Sequence, residues 1–212
     1  MLVSGLCFIA WDTLFVQWGV WGFNPAYITG LKIGNMPIEE ILFFFCIPYA
    51  CVFTFHCLES FASEKISGKK ETLLTNIFIV IFLLVGAINY EKLYTLFTFI
   101  SFSILLFTAK YFLKVKWLGQ FYVVYCVLLL PFFIVNGILT GTGLDAPVVW
   151  YNDNENLGVR VLTIPVEDLF YGMELIFLNL LVYQKLKLPN YKNTDALTEK
   201  KLQLENELTD TN

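Results

Sequence analysis

Pro37-Ile38-Glu39-Glu40-Ile41-Leu42-Phe43-Phe44 returns 128 positions later as Pro165-Val166-Glu167-Asp168-Leu169-Phe170-Tyr171. Each copy sets two adjacent carboxylic acids in front of a long apolar run. Ionisable groups at the mouth of a membrane helix are costly to place and by default mark function. Two copies predict two half-domains that face each other across one site.

The rest of the chain supports a membrane reading. Of 212 residues, 57% are hydrophobic and 15% charged, against roughly 25% charged in a soluble domain. Six apolar stretches approach or exceed the length needed to cross about 30 Å of hydrocarbon. They are Leu2–Trp18, Ile41–Leu58, Leu73–Tyr90, Leu93–Ala109, Trp117–Leu139 and Val161–Tyr183. The expected fold is all-α, an integral membrane bundle of about six transmembrane helices built as a tandem parallel repeat. The first stretch lacks a basic leader and carries Asp12, so it does not read as a cleaved signal peptide. No basic stripe suits nucleic acid. Cys7, Cys46, Cys51, Cys57 and Cys126 all lie in apolar runs without a Cys-x-x-Cys pair, and read as small packing residues.

Eleven of the fourteen basic residues fall in the loop after the second stretch, the segment between the fourth and fifth, and the C-terminal region; Lys32, Lys92 and Arg160 lie on the opposite side. The positive-inside rule then puts the C-terminus in the cytoplasm and both acidic motifs at the outer face of the cytoplasmic (inner) membrane. The first and fifth stretches correspond, as do the second and sixth. An even number of crossings separates each pair, which makes the repeat parallel and not inverted. The expected organisation is a first half-domain over 1–92, lacking its opening helix, a second over 93–187, and a polar cytoplasmic tail over 188–212 with a short helix at Ala196–Leu208.

Adjacent helical residues diverge by about 100°, so one acid of each pair can face the bundle interior. Glu174 follows Glu167 by seven residues on nearly the same face, and Asp12 lies inside the first stretch. A desolvated carboxyl near another acid favours its neutral form and can donate a proton. Helix capping explains a single motif about as well, but not two copies each followed by aromatics. Phe43, Phe44, Phe170 and Tyr171 adjoin the acids, and aromatic faces stabilise cations. Asn136 sits near the outer end of the fifth stretch, at the approximate equivalent of Asp12, placed to bond an acid or to pack helices. His56, the only histidine, cannot build a His-rich metal site. Gly141-Thr142-Gly143 is a turn and not a dinucleotide fingerprint.

These residues resemble the membrane-integral lycopene cyclases, which occur as heterodimers, as fused single chains and as a domain of bifunctional carotenoid enzymes. The likeness rests on Trp11-Asp12, Gly19-Val20-Trp21-Gly22-Phe23-Asn24-Pro25 and Pro37-Ile38-Glu39-Glu40. In the second half it rests on Asn136-Gly137-Ile138-Leu139-Thr140-Gly141, Pro147-Val148-Val149-Trp150-Tyr151-Asn152 and Pro165-Val166-Glu167-Asp168-Leu169-Phe170-Tyr171-Gly172. The resemblance implies a lycopene β-cyclase of carotenoid biosynthesis, an intramolecular lyase or isomerase without net redox change. It would close lycopene ends into β-rings through γ-carotene to β-carotene, with no metal, flavin or nicotinamide cofactor. Glu39, Glu40, Glu167 and Asp168 would share the proton donor and acceptor roles, unassigned between them. Asp12, Asn136, Phe43, Phe44, Phe170 and Tyr171 would bind substrate. The implied partners are a lipid-soluble C40 carotenoid, membrane lipid and other carotenoid enzymes. An ε-ring or C50-carotenoid cyclase of the same family is the alternative. A proton-coupled transporter also suits paired membrane acids, but would more often show inverted repeats.

Overall fold

Without water in hydrocarbon, a backbone must satisfy its own hydrogen bonds, and helices do so within one segment. The apolar stretches accordingly form six α-helices in the computed structural model, which describes residues 2–59 and 68–186. The helices are α1 (Leu2–Gln17), α2 (Ile38–Glu59), α3 (Gly68–Ile88), α4 (Leu93–Phe107), α5 (Leu118–Leu139) and α6 (Val166–Leu186), and α4 continues into a π turn over Thr108–Phe112. Four of them are long and apolar enough to cross a membrane: α2, α3, α4 with its π turn, and α5. α1 has 16 residues, and α6 carries Glu167, Asp168 and Glu174. This is an all-α membrane-type bundle. Two units divide the chain, 1–180 and 181–212; the second holds the last turns of α6. The expected tail and its short helix at Ala196–Leu208 lie outside the described residues.

Strands that apolar runs do not announce fill the loops at the acid end. They are β1 (Trp21–Phe23), β2 (Lys32–Ile33), β3 (Met36–Pro37), β4 (Val149–Tyr151), β5 (Arg160–Val161) and β6 (Ile164–Pro165). β2 and β3 form one hairpin, β5 and β6 another. The sixth apolar stretch therefore becomes helical at Val166 and not at Val161, because Leu162 takes a positive φ of 58° and turns the chain. The second becomes helical at Ile38, three residues before its apolar run, so that Glu39 and Glu40 sit in the first turn of α2 as Glu167 and Asp168 do in α6.

The two repeats meet through β1 and β4, which pair antiparallel with Trp21 opposite Tyr151, Gly22 opposite Trp150 and Phe23 opposite Val149. Under the 128-residue offset, Gly22 faces its own counterpart and its neighbours exchange partners. Such an exchange of i with j and j with i is the mark of a local two-fold. The flanking bonds obey it as well: the Asn24 amide donates to the Val148 carbonyl at 2.8 Å, and the Asn152 amide to the Val20 carbonyl at 2.9 Å. A side chain at Gly22 would meet the Trp150 ring at 2.4 Å, so only glycine lets the indole lie across β1.

α3 has no counterpart in the repeat and packs against α4. The Phe82 ring lies 5.3 Å from Phe99 and 5.5 Å from Phe102. Gly86 admits Ile100 so closely that an added Cβ would stand 2.9 Å from it, the close approach that small residues permit between membrane helices. At the far end of the pair, Lys110 in the π turn reaches Glu71 at 2.7 Å, with both side chains mostly buried. Removing one partner strands the other charge, whereas replacing both with apolar residues does not. Glu71→Ala should therefore lower stability in detergent by about 3 kcal/mol. The double substitution Glu71→Leu with Lys110→Met should recover most of the loss, both read by thermal unfolding.

Candidate active site

The two acids of each motif do different work, and the division is the same in both repeats. The first acid turns back to its own loop. Glu39 Oε1 accepts the Thr29 amide at 2.7 Å, and Glu167 Oε1 accepts the Leu157 amide at 2.7 Å. In each case the donor lies ten residues upstream, across a turn in which Gly30 and Gly158 hold φ of 86° and 71°. Just inside, the Ile38 amide donates to Leu31 and the Val166 amide to Val159, both at 3.0 Å. Glu167 has one further donor, the Thr95 hydroxyl of α4 at 2.7 Å.

The second acid, about 100° further round the helix, points inward. Glu40 and Asp168, one from each repeat, line a single cavity of about 310 Å³. Asp168 is held on both oxygens: Tyr94 donates to Oδ1 at 2.5 Å and Tyr151 to Oδ2 at 2.8 Å. Glu40 takes no side-chain hydrogen bond among the described residues. The wall near the acids is aromatic. The Trp21 and Tyr94 rings lie 4.9 Å apart, Tyr94 stacks on Tyr151 at 5.9 Å, and Tyr171 is 6.1 Å from Trp21. Loss of water, and after it the charge of Asp168, pushes the Tyr151 phenol well above its ordinary range, so it remains a donor. Arg160 lies 5.8 Å over the Tyr151 ring and binds Asp153 at 2.6 Å. That hydrogen bond holds the exposed Asp153 carboxyl below its usual value.

Asp12 is 2% exposed and sits behind the cavity wall, where it accepts the Tyr171 hydroxyl at 2.6 Å. It thus reaches the cavity through Tyr171. Phe43, Tyr171 and Asn136 line the cavity, but Asn136 is not among the partners of either motif's acids. Two expected lining residues face elsewhere. Phe44 is fully buried in a cluster with Phe8 and Leu175, because it is one position past the cavity face of α2. Phe170 turns to the α3–α4 side, 4.8 Å from Phe82 and 5.2 Å from Phe99. Glu174 is buried off the cavity and accepts the Ser101 hydroxyl at 2.9 Å. Trp21, Tyr94 and Tyr151 were not singled out as site residues by sequence. Trp21 and Tyr151 stand inside quoted motifs without a role assigned to them; Tyr94 lies outside the repeated motifs and carries no signal at all.

A profile of the lycopene cyclase family matches residues 1–58 and 91–186. The chain belongs to the lycopene cyclase family. The matched stretches contain both acidic motifs and every helix except α3, which falls in the gap between them. The bifunctional lycopene cyclase/phytoene synthase of Aspergillus niger is 33% identical over 57 residues, which are 24% of this chain and 10% of that protein. No solved structure matches the chain. Membership of this family and four helices long enough to span hydrocarbon agree with a membrane protein.

Bonds from ionised acids to backbone amides contribute about 1.5–3 kcal/mol. Glu39→Ala and Glu167→Ala should therefore speed hydrogen exchange at the Thr29 and Leu157 amides, respectively, by at least about tenfold. Glu40→Ala should leave both amides unchanged.

Proposed function

We propose that this chain is a lycopene β-cyclase that closes the ends of lycopene by acid–base chemistry without net redox change. The observation that carries the reading is the unequal pair of acids in one cavity: Glu40 with no hydrogen-bond donor, Asp168 with two tyrosine donors. Glu40, with no donor on it, is free to donate toward the cavity, whereas Asp168, with a hydroxyl donated to each oxygen, is arranged as the acceptor. Glu40 is then the general acid and Asp168 the general base.

In this scheme Glu40 delivers its proton to the terminal carbon–carbon double bond. The double bond's electron pair forms the new C–H bond, and the positive charge falls on the tertiary carbon. An internal double bond attacks that carbon, closes the six-membered ring and leaves the charge on a ring carbon. Asp168 removes an adjacent ring proton, and the C–H pair becomes the ring double bond. One proton enters and one leaves, so the product is an isomer. The faces of Trp21, Tyr94, Tyr151 and Tyr171 favour the intermediate cations. Which ring proton departs separates β- from ε-rings, and the position of Asp168 under Tyr94 and Tyr151 sets that choice. The first acids, Glu39 and Glu167, hold the loops. The lysine distribution supports an outer-leaflet position for the acid end, with the C-terminus in the cytoplasm of a bacterial-type inner membrane.

In a host that accumulates lycopene, the chain should convert it to β-carotene, seen by chromatography of the pigments. Glu40→Gln and Asp168→Asn should each lower conversion by at least about a hundredfold, and Tyr151→Phe by about tenfold, at equal membrane levels of protein. Full activity in the two acid variants would remove the assignment.

A further inference from the structure

The cavity is much longer than the chemistry needs. On α2 it is lined by Glu40, Phe43, Ile47, Ala50, Cys51 and Thr54, the i, i+3, i+4 spacing of one helix face. From Glu40 to Thr54 that face runs about 21 Å. On α5 the lining extends from Tyr125 to Thr140. The Phe55 ring lies 5.8 Å from Trp117, at the start of α5, so the two helices run antiparallel along the cavity and the end of α2 meets the beginning of α5. The carboxyls and most of the tyrosines cluster at one end, and beyond Phe43 the lining is mainly apolar with small residues at Ala50 and Cys51. Gly172 on α6 keeps the middle open: a Cβ there would stand 3.2 Å from the Phe132 ring.

We infer that this cavity is a one-ended groove that takes a linear polyene end-first, with the terminal double bond at Glu40 and Asp168 and the chain lying between α2 and α5 past Cys51 to Thr54. The inference rests on the proposed cyclase reading and adds where the unreacted chain lies. A compact substrate would need only the acid end. A long apolar chain fits a groove that is polar at one tip and apolar along the rest.

Cys51 supplies the test. Cys7, Cys46, Cys57 and Cys126 are exchanged for serine, which leaves Cys51 as the only thiol, and Glu40→Gln stops turnover. The protein is placed in lipid vesicles with and without lycopene. Modification of Cys51 by a small membrane-permeant methanethiosulfonate is followed by intact mass. Lycopene should slow labelling at least fivefold. Separately, Thr54→Trp in the otherwise natural chain should cut conversion of lycopene at least tenfold at an unchanged membrane level, because it fills the far end of the groove without touching the acids. Equal labelling rates with and without lycopene, in a protein whose parent still cyclises, would overturn the groove. Protection of Cys51 in a protein whose parent does not cyclise would uphold the groove and remove the activity instead.

Discussion

Everything at the acid end depends on the antiparallel pairing of β1 with β4. These are three-residue strands, and alone they would be marginal. They matter because they join the two repeats at equivalent positions, with Gly22 against Trp150. An exchange of that kind leaves no freedom in how the halves face each other. It carries Glu40 and Asp168, distant in sequence, to one cavity, and sets Trp21 and Tyr151 on its wall. The two repeats thus share one cavity.

Within each repeat, a doublet of acids solves two problems at once. A loop that closes over a membrane cavity has backbone amides to satisfy, and a carboxylate is a strong acceptor for them. The neighbouring acid, turned about 100° away, is freed for the cavity. The halves are not identical in their support. α4 sends Tyr94 to Asp168 and Thr95 to Glu167, and neither Glu40 nor Glu39 receives a comparable pair. In the proposed reaction, that asymmetry is what would let chemically similar acids act in opposite senses.

The helices were legible in the sequence because hydropathy is read one residue at a time, and the repeat was legible because both copies kept Pro, two acids and an apolar run. The hairpins were not. Lys32–Pro37 and Arg160–Pro165 are short, and the second is apolar enough at Val161, Leu162 and Ile164 to pass for the start of a helix. Which acid of each doublet faces inward was also hidden, since a sequence shows that the two diverge but not where the cavity lies. Phe44 and Phe170 show the same limit: an aromatic beside an acid need not wall the site, since Phe44 turns into the core and Phe170 toward α3 and α4. Tyr94 could be found only from the structure, because it acts across the bundle on a residue 74 positions away.

The hairpin turns retain a trace of unequal drift between the copies. Gly34 turns the first at φ 64°, and Leu162 turns the second at φ 58°. A leucine in the left-handed region is strained by about 1–2 kcal/mol, which glycine escapes. The second copy has kept the shape of the turn with a residue unsuited to it, so the shape and not the side chain is what the acid behind it requires. A designer who rebuilt this protein as a perfect internal duplicate would have to choose a template half for that turn. Copying the first would spread the relaxed glycine, and copying the second would double the strain.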